Sequence, residues 1–138
     1  MMALHGLDSL RQALDDIDRP VNNKLKVIYL QGLGNIAIGG PVARIGGGRS
    51  RSNWFLKVGS PSNETTEQKN QDPHLDKMPV NVLGKQVFYA NNMPYINKLE
   101  YGGYPGDGPK TKNGYSDQAV GGWVRKELLI MRAAIRAI

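Results

Sequence analysis

VFYANNMPYINKLEYGG, residues 87–103, decides how this chain folds. Val87 and Tyr89 alternate with Phe88 and Ala90, the period of a strand. Asn91-Asn92 end that strand in a turn. Pro94 stands where a first helical position tolerates it, so a short helix is expected over Pro94–Tyr101. Gly102-Gly103 then open a loop. No nucleophile–base pair and no cluster of metal ligands lies in this stretch. Its density of geometry-setting residues, Asn91, Asn92, Pro94, Tyr95, Glu100, Tyr101, Gly102 and Tyr104 just beyond, points to assembly and away from catalysis.

Upstream, Val80–Ala90 reads as a second strand region. A turn at Gly84-Lys85 would make a hairpin of Val80–Leu83 and Gln86–Asn91. Ser52–Ser60 also alternates, with Trp54, Leu56 and Val58 on one side and Phe55 and Lys57 on the other. Between them, Pro61–Pro79 has almost no large apolar residue and reads as a long exposed loop, mobile in isolation. Towards the start, Leu7, Leu10, Leu14 and Ile17 form an amphipathic stripe. Arg19-Pro20 is expected to end that helix or to begin a second one, which continues to about residue 38 and stops at Gly39-Gly40-Pro41. Gly32 and Gly34 weaken it by roughly 1 kcal/mol each and suggest a close helix contact. Downstream, Gly102–Tyr115 reads as a loop with turn pairs at Asp107-Gly108 and Asn113-Gly114. Val120, Val124, Leu128, Met131, Ile135 and Ile138 mark the clearest helix. The order α-α-β-β-β-α predicts an α+β fold. A small antiparallel sheet packs against N-terminal and C-terminal helices in one domain, 1–138, with extended loops at 61–79 and 102–116.

The chain has 138 residues, no cysteine and a net charge of +6. One domain with a real core fits that length. Disulfides and thiolate metal sites are excluded. No signal-peptide pattern opens the chain, and no apolar run reaches the roughly 18 residues a membrane span needs. The charge is uneven: Asp8, Asp15, Asp16 and Asp18 near the start, and bare bases Arg44, Arg49, Arg51 and Lys57 further on. Such a basic surface suits nucleic acid, an acidic partner or a neighbouring subunit.

Few residues invite catalytic readings. Gly32-Leu33-Gly34-Asn35-Ile36-Ala37 fits a dinucleotide-binding glycine pattern, but Gly39-Gly40-Pro41 would break the helix it needs, and arginines stand where the ribose-binding acid belongs. Gly46-Gly47-Gly48-Arg49-Ser50-Arg51 could touch phosphate through backbone N–H groups and guanidinium, yet lacks the lysine and spacing of a P-loop. His5 and His74 lie far apart and read as solvated. Glu100 and Asp107 read as turn-region acids before they read as an acid–base pair. The aromatic residues could stack on single-stranded nucleic acid, but strand alternation explains Trp54 and Tyr89 as core. No cofactor and no metal is expected.

Taken in order, these segments resemble the neck or tail-completion proteins of tailed bacteriophages, the group related to lambda's minor tail protein Z. The likeness rests on Gly6–Leu14, on Gly48–Trp54 followed by Gly59-Ser60-Pro61, and on Tyr115–Arg125. It is most specific at Asn91–Ile96 and Leu99–Gly102. The chain departs from the pattern at Gly47 and Val120, which stand for a threonine and a proline, and in the added length of Gly103–Gly114. The resemblance implies a non-enzymatic virion protein forming a ring between head connector and tail proteins, with double-stranded DNA in its lumen. A sixfold ring is expected, with a twelvefold one as its rival. Arg44, Arg49 and Arg51 would face the DNA without reading sequence. The rival reading is a basic, sequence-non-specific nucleic-acid-binding protein.

Overall fold

One continuous helix, α1 (Gly6–Gly39), takes the place of the two helices that Arg19-Pro20 suggested. The computed structural model describes residues 6–39, 48–69, 71, 74–103, 111–116 and 121–138. Pro20 lies inside α1 on an exposed turn. There the carbonyl that loses its partner is open to water, so the helix absorbs the proline without stopping. At 1.5 Å per residue α1 runs for about 50 Å.

Only the C-terminal part of α1 joins the core. Leu33, Ile36 and Ala37 pack with Trp54, Leu56, Leu99, Trp123 and Met131. The expected close helix contact falls at Gly32, where a Cβ would collide with the Met131 side chain on α3 (Trp123–Arg136). Gly34, two residues on, faces open space. The Trp123 indole Nε1 donates to the Ile36 carbonyl at 2.8 Å and ties the two helices together.

A 3₁₀ turn, Arg51–Asn53, leads into β1 (Trp54–Val58), which pairs antiparallel with β2 (Val87–Asn91). Trp54 faces Asn91 and Leu56 faces Tyr89 in that register. Trp54 and Leu56 are buried, as their alternation predicts, and Trp54 stacks on Tyr89 at 5.1 Å between centroids. Val58, at the strand's end, is exposed.

The hairpin expected over 80–91 does not form. Val80–Leu83 is not a strand, because α1 meets its backbone instead. Asn22 donates from Nδ2 to the Val80 carbonyl at 3.1 Å and accepts the Val82 N–H at 2.7 Å. That side-chain amide supplies what a neighbouring strand would have supplied. Gly84 still turns the chain, with φ +71°, and Gly59 N–H donates to the Gln86 carbonyl to prolong the β1–β2 pairing.

After β2 comes the short helix α2 (Ile96–Tyr101), close to its expected span. The stretch expected as loop contains a hairpin, β3 (Thr111–Lys112) with β4 (Tyr115–Ser116). Asn113 and Gly114 both have positive φ, +53° and +80°, the geometry of a type I′ turn that the Asn-Gly pair favours. The described residues thus hold two two-stranded antiparallel sheets with helices before and after them, an α+β fold.

Both apolar stripes that marked the outer helices are largely unburied. Leu7, Leu10, Leu14 and Ile17 are 42–65% exposed, and the whole α1 segment 6–20 stands clear of the core. On α3, Met131 is buried, but Leu128 and Ile135, and Ile138 just past its end, are 36–50% exposed. Trp123 and Met131 take the inner face instead. Among the described residues, no helix is long and apolar enough to cross a membrane.

Candidate functional site

The 91–102 block is a junction that locks three parts of the fold together. Asn91, the last residue of β2, donates to the Ser50 carbonyl at 2.8 Å and accepts the Met93 N–H at 3.0 Å. The second bond is an Asx-type turn that steers the chain towards α2. Asn92 donates to the carbonyls of Ser62 and Glu64 at 2.8 and 3.1 Å, pinning the long loop. Pro94 and Tyr95 lead into α2 on the exposed side, and Tyr95 occupies its N-cap position.

Glu100 is the centre of the junction. Its side chain is buried, yet both carboxylate oxygens are used. Oε2 accepts the Val124 N–H at 2.9 Å, and Oε1 accepts the Arg125 N–H at 3.0 Å and Arg125 Nε at 3.1 Å. The Glu100 carbonyl accepts Gly122 N–H at 2.8 Å and the Arg125 guanidinium at 3.0 Å. The first turn of α3 is therefore capped by a carboxylate from α2. Gly122, at the N-cap position, has no side chain to do so. A negative charge at a helix N-terminus and two charge-assisted bonds make this a strong cap. The same carboxylate pushes the Arg125 guanidinium above its ordinary pKa. Arg125 also lies over the Tyr101 ring, 4.6 Å from its centroid.

Gly102 ends α2 with φ +81° and ψ −162°, a backbone region open essentially to glycine alone. A Cβ there would also approach the Gly114 carbonyl and the Tyr115 ring at 3.1–3.2 Å. Gly103 N–H donates to Gly114 at 2.8 Å, so the glycine pair docks the β3–β4 hairpin.

The arginine candidates are held within the chain. Arg49 donates to the Thr66 carbonyl at 3.2 Å and to Glu67 Oε1 at 2.6 Å, with its side chain 37% exposed. The Arg51 guanidinium donates to the Ile38 carbonyl in the last turn of α1, the usual place for a cation at a helix end. Arg51 and Arg49 therefore fasten α1 and the 61–79 loop to the sheet. Arg44, Tyr104, Asp107 and His5 lie outside the described residues.

The long loop is exposed over most of its length but anchored. Ser52 and Asn53, expected to begin the strand, instead form the 3₁₀ turn before it and are both fully buried. Asn53 brackets the Thr66 peptide, donating to its carbonyl at 3.0 Å and accepting its N–H at 2.8 Å. Ser52 accepts the Gln71 N–H at 2.7 Å. His74, expected in solvent, is half-buried. It stacks on Phe55 at 4.5 Å, with Nε2 2.8 Å from the Ser52 carbonyl. A polar pair ahead of a strand carries no sequence signal for such a hub. The Gly32–Ala37 pattern lies inside α1, so its glycines form no phosphate-cradling turn.

Nothing in the comparisons names a relative. No family model, no curated protein and no solved structure matches this chain. What stands out chemically is polar side chains spent on joining segments, beside large apolar side chains that the fold leaves uncovered. Among the described residues, no group of three or more His, Asp or Glu is placed to hold a metal ion.

Proposed function

We propose that this chain is a structural subunit of a tailed-phage neck, assembling into a ring at the head–tail junction through which DNA passes. One observation carries the reading: two long helical faces, on α1 and α3, present Leu and Ile side chains to solvent. A chain that spends its buried polar groups on bracing and keeps its apolar helices outside is suited to assembly. The junction at Glu100 suits a subunit that must hold shape under load, because it welds β2, α2, the hairpin and α3 into one piece. Contact with duplex DNA in the lumen would be electrostatic and sequence-independent. The virion is the proposed location, with a head connector and tail proteins as neighbours.

Electron microscopy of the purified chain mixed with virion or tail extract tests this. Rings with an open centre, seated at tail ends, are expected. A monomer that stays free of virions but binds duplex DNA with a steep salt dependence would shift the assignment to a non-specific nucleic-acid-binding protein.

A further inference from the structure

Two apolar surfaces of this chain are left exposed by the described residues. The first is the α1 arm, residues 6–20, where Leu7, Leu10, Leu14 and Ile17 are spaced three, four and three residues apart. The second lies on α3. On it Leu128 and Ile135 are substantially exposed, as is Ile138 just past its end, while Met131 between them is buried against Gly32 of α1. Beside the second runs a groove of about 520 Å³ between the end of α3 and the middle of α1, walled by Val27, Ile28, Ala134 and Ile138. On the arm, three-four spacing is the seam of helices that pack knobs into holes. The lengths agree: the arm spans about 22 Å and α3 about 21 Å.

Charge chooses between the possible pairings. The arm carries Asp8, Asp15, Asp16 and Asp18 against Arg11 and Arg19. Helical spacing sets both Asp18, one turn on from Leu14, and Arg11, one turn on from Leu7, beside the apolar seam, so it is the arm's net charge that is acidic. The α3 surface carries Lys126, Arg132 and Arg136 against Glu127, and Lys24 stands on the groove wall. Arg125 is committed to Glu100. Arg132 follows Leu128 by one turn and precedes Ile135 by three residues, so it edges that surface. Arm on arm would set acid against acid, and α3 on α3 base against base. Arm on α3 sets a net acidic surface against a net basic one, each beside exposed apolar side chains. The arm cannot reach the α3 of its own chain, since it continues the helix on which that α3 already packs.

We propose that the α1 arm of one copy docks on the α3 face and groove of a second copy. The contact is heterologous: each subunit offers one surface and receives the other, so repetition closes a ring or grows a filament. This deepens the ring reading and rests on its claim of self-assembly.

Sedimentation of three proteins tests it: the natural chain, an arm variant (Leu10→Glu with Leu14→Glu) and a face variant (Leu128→Glu with Ile135→Glu). All four positions are at least about a third exposed, so far-UV circular dichroism and the unfolding midpoint serve as controls for folding. The natural chain is expected to associate. Each variant alone is expected to remain monomeric, its self-affinity weakened by about a hundredfold or more. A one-to-one mixture of the two variants is expected to give a discrete heterodimer, because one arm and one face remain intact. Assembly of the face variant alone would overturn the proposal in favour of arm-on-arm pairing. Rings formed equally well by the natural chain and both variants would leave the ring reading standing and remove this interface. A natural chain that is monomeric at its highest soluble concentration would overturn the interface, and the virion-extract experiment would then judge the ring reading separately.

Discussion

Glu100 shows how much one side chain can organise. It was legible in the sequence as part of the Leu99–Gly102 signature, but its work was not, since α3's N-terminus lies more than twenty residues downstream. Glu100→Ala strands two helix N–H groups and is expected to cost about 2–3 kcal/mol, read from urea denaturation. Glu100→Gln keeps acceptor oxygen but loses charge, so its loss should be smaller. An Ala variant as stable as the natural chain would remove the cap from the account. Tyr89 makes a second test. Its phenol is shut in beside Trp54 with no hydrogen-bond partner among the described residues, and burial pushes its pKa well above the ordinary 10. The folded chain therefore holds this proton more tightly than the unfolded chain does. Stability is full below the unfolded value of about 10 and falls as pH rises beyond it. Tyr89→Phe should leave neutral-pH stability unchanged or higher and flatten the alkaline loss, measured by thermal unfolding across pH.

At the level of elements, period and punctuation were read well where contacts are local. The burial of Trp54 and Leu56, the α2 end at Tyr101 and the Asn113-Gly114 turn appear in the structure, while α2 begins two residues after the expected Pro94. Long-range partners defeated the reading elsewhere. Asn22 captures Val80 and Val82, so a plausible strand is spent on a helix side chain. Pro20 sits on an exposed turn and fails to break α1. The two α1 glycines separate packing from propensity. Gly32→Ala drives a methyl into Met131 and should destabilise by about 1–2 kcal/mol, the overpacking cost outweighing the gain in helix propensity. Gly34→Ala meets nothing and should stabilise by up to about 1 kcal/mol. Equal effects at the two sites, in paired denaturation curves, would contradict the α1–α3 packing described.

For the whole molecule, the α+β class followed from element order, whereas the site did not follow from site residues. Arg49 and Arg51 looked like free cations in a glycine loop, because sequence spacing cannot show that Glu67 and the end of α1 lie within reach. The apolar stripes were legible as stripes. Nothing in a periodicity tells whether the chain itself or another molecule covers them. Here the described residues do not, and the central proposal is that copies of the chain cover that exposed helix. Native mass spectrometry of the natural chain over a rising concentration series tests that claim most directly. A single closed oligomer, sixfold or twelvefold, accumulating without intermediates of unlimited size, is the predicted result. A monomer at every concentration would contradict it.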